Sequence, residues 1–170
     1  DMQLNGGLIT LEDLADFEPA IKSPLSTNFR EFQILSPTAP CGSWTALQTL
    51  NILERFDLRS MGHGSAQHLH TFIECARHAF ADRFRYMGDP DFSAVPLDGL
   101  LSKEYAKLIA EQIDAQKSIV ETLSSDPPWT YFATKALHDP WIFENRSSPT
   151  LQPPKSTNSS GDCTTHLGAA

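Results

Sequence analysis

The chain has 170 residues, 40% of them hydrophobic, enough to bury one ordinary core and so to form one domain or part of one. With 13 basic against 21 acidic side chains and a formal net charge of -8, it offers no basic stripe for tracking phosphates; this excludes a nucleic-acid surface and disfavours acidic partners. No apolar run approaches the roughly 20 residues needed to cross a bilayer, and the start Asp1-Met2-Gln3-Leu4 has neither the basic nor the apolar region of a leader, so the chain carries no address of its own.

In chain order, Gly6-Gly7-Leu8-Ile9 leads to Thr10, placed to cap a short helix whose first turn holds Glu12 and Asp13; Pro19 and Pro24 end that unit. Residues 29–36 alternate well enough for one strand, which Pro37-Thr38-Ala39-Pro40-Cys41-Gly42 breaks. Ser43 is expected to cap a helix with Leu47, Leu50, Ile52, Leu53 and Phe56 as its apolar stripe, stopping before Met61-Gly62-His63-Gly64. Ser65 opens the longest helical pattern, to about Tyr86, with Leu69, Phe72, Ile73, Ala76, Phe80 and Phe84 on one side and a sharp end at Gly88-Asp89-Pro90-Asp91. Ser102 caps a further helix, with Tyr105, Leu108, Ile109 and Ile113 inward and Lys103, Glu104, Lys107 and Glu111 outward. From about Gln116 the pattern dissolves. Residues 151–161 read as an exposed polar linker, and only 163–170 regain β-compatible character before the chain stops without a turn or cap, as at an imposed or subunit edge. The organisation expected is a helical region with short strands over 1–115, a variable linker over 116–161, and a distinct motif over 162–170.

Two groups of residues carry candidate chemistry. His70, Glu74, His78 and Asp82 recur every fourth residue and share one helical face. A single straight helix cannot wrap four ligands around one ion, so the expectation is a hydrogen-bonded polar face packed on another element, with no metal assigned. His63, His68 and His138 have no ligand-like context and are expected on the surface or in loops. Cys41, Cys75 and Cys163 are odd in number and widely spaced; they fit neither a disulfide framework nor a zinc motif, allow at most one bridge, and read as inert thiols. In Gly161-Asp162-Cys163-Thr164-Thr165-His166-Leu167 a polar linker delivers a Thr pair to the start of a strand. Taken alone these residues fit an ordinary loop entering a strand, a Thr nucleophile, or a Cys163 nucleophile beside His166.

Seven blocks occur in an order that resembles the γ-glutamyltranspeptidases: Gly6-Gly7-Leu8-Ile9-Thr10, Glu12-Asp13-Leu14, Leu50-Asn51-Ile52-Leu53-Glu54, Phe56-Asp57-Leu58, His78-Ala79-Phe80-Ala81-Asp82-Arg83, Tyr86-Met87-Gly88-Asp89-Pro90-Asp91-Phe92 and Thr164-Thr165-His166. The resemblance covers about residues 6–114 and 162–170. It implies an N-terminal-nucleophile hydrolase with a four-layer α-β-β-α sandwich, an α+β fold of which this piece supplies mainly large-subunit helices and a few strands. It implies self-cleavage between Cys163 and Thr164, after which Thr164 is the catalytic nucleophile and its own α-amine the base, with Thr165 and His166 as motif neighbours. The implied partners are a γ-glutamyl substrate such as glutathione, a water or amino-acid acceptor, and the small subunit of the same precursor; no cofactor is implied. A periplasmic or secreted location follows from the resemblance, with a cytoplasmic one left open. Related acylases, γ-polyglutamate depolymerases and a non-catalytic scaffold remain alternatives. The family's oxyanion donors and carboxylate-binding Arg fall outside the chain, and one Gly of the usual Gly-Gly after the Pro-rich segment is here Ser43.

Overall fold

The computed structural model describes residues 2–118 and 138–144. Its elements are β1 (Leu25–Phe29), β2 (Phe32–Ser36), and helices α1 (Leu11–Ala15), α2 (Trp44–Leu53), α3 (Leu58–Met61), α4 (Ala66–Tyr86), α5 (Leu97–Leu100) and α6 (Lys103–Ala110), with short 3-10 turns at Gln3–Asn5 and Pro140–Phe143. The described chain is thus helix-rich with a single two-stranded sheet. The core gathers on α2, which packs against α4, α6 and β1. Being covered on several sides, α2 is buried almost all round: Trp44, Leu47, Ile52 and Leu53 lie inside, and so do Gln48, Thr49 and Asn51. Leu25, Leu97, Leu100, Tyr105 and Ile109 complete the same cluster.

Local chemistry sets the helix starts. Thr10 and Asp13 form a reciprocal capping box at α1. The Ser65 hydroxyl accepts from the His68 N–H, and the Ser102 hydroxyl from the Tyr105 N–H, at α4 and α6. Ser43 differs from expectation: it precedes α2 in the helical region, at φ -65°, and makes no side-chain cap; its hydroxyl contacts Ser36 Oγ at 2.9 Å and Pro37 O at 3.3 Å. That φ suits any L-residue, so Ser in place of Gly is unstrained here. The stripe expected to run through Phe56 is likewise divided, because α2 ends at Leu53 and Asp57 caps a separate α3 through the Ser60 N–H.

The single strand expected over 29–36 is instead a hairpin in which Leu25 pairs with Ser36 and Phe29 with Phe32. Arg30-Glu31 is its two-residue turn, with Arg30 at φ 55°, a left-handed conformation usually left to Gly, Asn or Asp. A tertiary contact holds it: Glu54 Oε1 accepts the Arg30 N–H at 2.6 Å, while locally the Arg30 guanidinium lies 5.4 Å from the ring centre of its neighbour Phe29. At the other end of the core, Gly99 admits the Pro140–Phe143 turn, since a Cβ there would strike the Pro140 carbonyl.

α4 departs furthest from the amphipathic reading. Leu69, Phe72, Ile73 and Phe80, the apolar side of the helical pattern, are 43–50% exposed. The buried side is Thr71, Glu74, Cys75, His78, Ala79, Ala81 and Asp82. In the first 24 residues no large apolar side chain is buried, and Leu4, Leu8, Leu11 and Ile21 are among the most exposed in the chain.

Candidate functional site

The buried side of α4 creates a polar seam inside the core. Asp82, 1% exposed, accepts on Oδ2 from Gln48 Nε2 of α2 and from the Tyr105 hydroxyl of α6 at 2.9 Å. Burial lifts its carboxyl from 3.8 to about 7, against the lowering effect of those two hydrogen bonds. Tyr105 is pushed up in turn by burial and by the Asp82 charge. His138, half-buried in a bend as the loop reading expects, joins the seam. Its carbonyl faces the Tyr86 and Tyr105 hydroxyls at 3.4 Å, and its ring meets the Tyr105 ring edge-on. One turn before Asp82, His78 is held neutral, pulled down to about 4 chiefly by burial. Glu74 binds Arg77 at 2.8 Å and the Ser118 hydroxyl at 2.9 Å. His70 Nε2 lies 2.8 Å from the Asp114 carbonyl. His70, Glu74 and His78 thus face the Asp114–Ser118 segment while Asp82 turns to Gln48 and Tyr105, and among the described residues no three His, Cys, Asp or Glu side chains are grouped to hold a metal. A carboxyl this enclosed can order the packing of three helices but cannot meet a substrate.

A second network joins the hairpin to the helices. Lys103, expected to point outward, donates to Asn28 O at 2.6 Å, Asn51 Oδ1 at 2.7 Å and Glu54 Oε2 at 2.6 Å. Thr27 donates to the same Asn51 oxygen, and Asn51 Nδ2 to Leu101 O. Lys103 is the important residue that periodicity missed: it begins α6, where a long side chain can reach across a helix end, and no spacing rule signals that.

The cysteines separate by environment. Burial pushes the Cys75 thiol up to about 12, which makes it inert as expected. Cys41 is exposed in the loop before α2, its thiol lowered mainly by its hydrogen bond with Ser43 and also by Arg83. Arg83 reaches this loop through Gly42 O at 3.2 Å, where a Cβ on residue 42 would collide with the guanidinium. Beyond the loop, a cleft of ≈ 360 Å³ opens between residues 22–25, 38–39 and 90–97, bordered by the Lys22–Asp91 pair at 3.1 Å. Cys163, Thr164, Thr165 and His166, the candidate cleavage and catalytic residues, lie outside the described residues, as does most of 116–161.

Comparison with known proteins supplies the context that this geometry lacks. The γ-glutamyltranspeptidase family model matches residues 1–168. The glutathione hydrolase proenzyme of Escherichia coli (strain K12) is 46% identical over 119 residues, 69% of this chain and 20% of that protein. The acylase ACY 1 proenzyme of Pseudomonas sp. (strain SE83) is 35% identical over 130 residues, 76% of this chain and 22% of that protein. Among solved structures, the Helicobacter pylori γ-glutamyltranspeptidase superposes with a TM-score of 0.66 at 40% identity, covering 69% of this chain and 34% of the other. The chain spans about a fifth of the length of the curated relatives it matches. A family match running almost from end to end, together with a shared fold at high identity, places the chain in the γ-glutamyltranspeptidase family.

Proposed function

We propose that the protein to which this chain belongs hydrolyses or transfers the γ-glutamyl group of glutathione and related γ-glutamyl amides, after cleaving itself between Cys163 and Thr164. The observation that carries the reading is the Thr164-Thr165-His166 motif lying within the 1–168 family match. The relatives' designation as proenzymes accords with it. In the first step Thr164 Oγ attacks the Cys163 carbonyl; the peptide C–N bond breaks, the nitrogen takes the hydroxyl proton, and an ester links Cys163 to Thr164. Water then hydrolyses that ester and releases a new chain starting at Thr164. Its α-amine, of ordinary pKa about 7.7–8.0, accepts the proton of its own hydroxyl at neutral pH. The same oxygen next attacks the γ-carbonyl of the donor and expels the amine, and water or an amino acid resolves the γ-glutamyl ester. In this reading the rest of the precursor supplies the oxyanion donors and completes the α-β-β-α sandwich, so the 170-residue chain alone turns nothing over.

N-terminal sequencing of the small subunit from the full-length protein tests the cleavage point. A start at Thr164 is expected, and a start at Cys163 or Thr165 overturns the assignment. Thr164→Ala should abolish processing and release of the chromophore from a γ-glutamyl anilide together, while Thr164→Ser keeps part of both. A second reading, an acylase using the same Thr, is favoured by the ACY 1 relative; preference for a glutaryl or cephalosporin amide over the γ-glutamyl anilide would select it.

A further inference from the structure

Where α4 meets the segment that leaves α6, a pocket of ≈ 230 Å³ is lined by Glu74 and His78 of the helix and by residues 112–114 and 117–118 opposite. Its walls are fixed by hydrogen bonds. Glu74, 2% exposed, accepts from Arg77 at 2.8 Å and from the Ser118 hydroxyl at 2.9 Å. The Asp114 carboxylate accepts the Gln116 and Lys117 N–H groups at 2.8 and 3.2 Å, and His70 Nε2 lies 2.8 Å from the Asp114 carbonyl, which ties that segment to α4. One wall group is left over. His78 is only 4% exposed, yet its imidazole makes no hydrogen bond among the described residues. Buried polar side chains are nearly always satisfied, so an unpaired one lining a cavity marks a place for a group supplied from outside.

We propose that this pocket binds a small α-amino acid, with the ammonium seated among the His78 imidazole and the Glu74 and Asp114 carboxylates and the ligand's carboxylate held at the mouth by Lys117 and Gln112. An ammonium carries three donors and no acceptor, and the pocket supplies three acceptor groups, two of them anionic. Burial keeps His78 neutral, at about 4, so its ring retains a lone pair for such a donor and offers no charge to an anion. Lys117 and Gln112 are exposed at the rim, where they give the carboxylate an ammonium and an amide to meet. A free anion would face Glu74 and Asp114, and a metal ion lacks its trio of ligands among the described residues. The volume lies below the about 300–1,000 Å³ of clefts that enclose larger ligands, which leaves room for one amino acid rather than a tripeptide. The site goes beyond the γ-glutamyl chemistry and is independent of which residue is the nucleophile.

The test titrates glycine into the full-length precursor carrying Thr164→Ala and isotope-labelled histidine at neutral pH, following the ring nitrogens by NMR; His78→Gln identifies the His78 signals by their loss. A saturable shift of the His78 ring is expected. Lys117→Ala, on the exposed rim, should raise the apparent Kd at least fivefold, and methylammonium, which lacks the carboxylate, should bind at least tenfold more weakly than glycine. No His78 shift at tens of millimolar glycine overturns the proposal. So does a Kd unchanged by Lys117→Ala, or an equal response to methylammonium or to sodium acetate, since each removes one half of the zwitterion from the recognition. The readout is one imidazole in a variant without the Thr164 hydroxyl, so its outcome is separate from whether the mature enzyme turns over a γ-glutamyl anilide.

Discussion

On one side of α4, Glu74, His78 and Asp82 lie 1–4% exposed against the other helices; on the opposite side Leu69, Phe72, Ile73 and Phe80 are 43–50% exposed. A helix in a self-sufficient monomer arranges these chemistries the other way round. The inversion is affordable on the buried side because its polar atoms find partners on α2 and α6, through Gln48 and Tyr105 in particular. On the exposed side the described residues give only partial cover, with the Arg83 guanidinium 5.7 Å and the Phe84 ring 6.1 Å from the Phe80 ring centre. Burial by itself therefore does not identify the hydrophobic side of a helix in a chain that spans a fifth of its relatives; hydrogen-bond satisfaction does.

The contrast can be broken from the buried side first. Asp82→Ala strands the Gln48 amide and the Tyr105 hydroxyl, and thermal or urea unfolding should show a loss of about 2–4 kcal/mol. Asp82→Asn, which keeps an acceptor oxygen, should cost markedly less. Phe80→Ser on the exposed face of the same helix should change the 170-residue chain by less than about 0.5 kcal/mol; an equal loss at both positions would remove the distinction between the faces.

Next in size is Lys103→Met, which keeps the aliphatic stem but leaves Glu54 and Asn51 short of a donor. About 1–2 kcal/mol is expected, and amide exchange at Arg30 should quicken because Glu54, which holds the turn, loses its cation. The exposed Lys107–Glu111 pair, 4.0 Å apart on α6, offers the control: Lys107→Met should be close to neutral.

The two titrating residues of the seam pull stability in opposite directions with pH. Asp82 has a raised folded pKa, so its contribution is full below pH 3.8 and is lost as pH rises through about 7. His78 has a depressed one, so its contribution is full above pH 6.5 and is lost as pH falls through about 4. Between pH 4 and 6.5 they oppose each other. Relative to the unsubstituted chain, Asp82→Asn should make stability rise more steeply with pH in that window, and His78→Gln should make it fall. Denaturant midpoints at half-unit pH intervals check both signs; the same sign for both variants would refute the account.

The smallest effects separate the arm from the body. Ser65→Ala should cost about 1 kcal/mol by removing the cap of a helix that carries the core, whereas Thr10→Ala should be undetectable in global unfolding, because α1 buries nothing. Similarly, a disulfide reagent should modify Cys41 rapidly in the native chain and Cys75 only at the rate of unfolding.

How much of this could be read beforehand depended on range. Thr10, Ser65 and Ser102 were legible as caps because a cap is settled within four residues, and the ends of α4 followed from Ser65 and Gly88 for the same reason. Family membership was legible in short blocks from Gly6 to His166, since each block is local. The Arg30 turn was not, because its left-handed backbone depends on Glu54, 24 residues away. Lys103 looked like one more exposed cation until the hairpin brought Asn28 beside it. The polar spacing of His70, Glu74, His78 and Asp82 was plain, but spacing could not say that Asp82 turns to Gln48 and Tyr105, while His70 turns to Asp114. Thr164, the residue on which the proposed chemistry rests, was named from its motif. The sequence by itself thus determined the starts of α1, α4 and α6 and which family the chain joins, since both are written in neighbouring residues. Only the tertiary structure decided which face of α4 is inside, because that depends on whether distant side chains can satisfy buried polar groups.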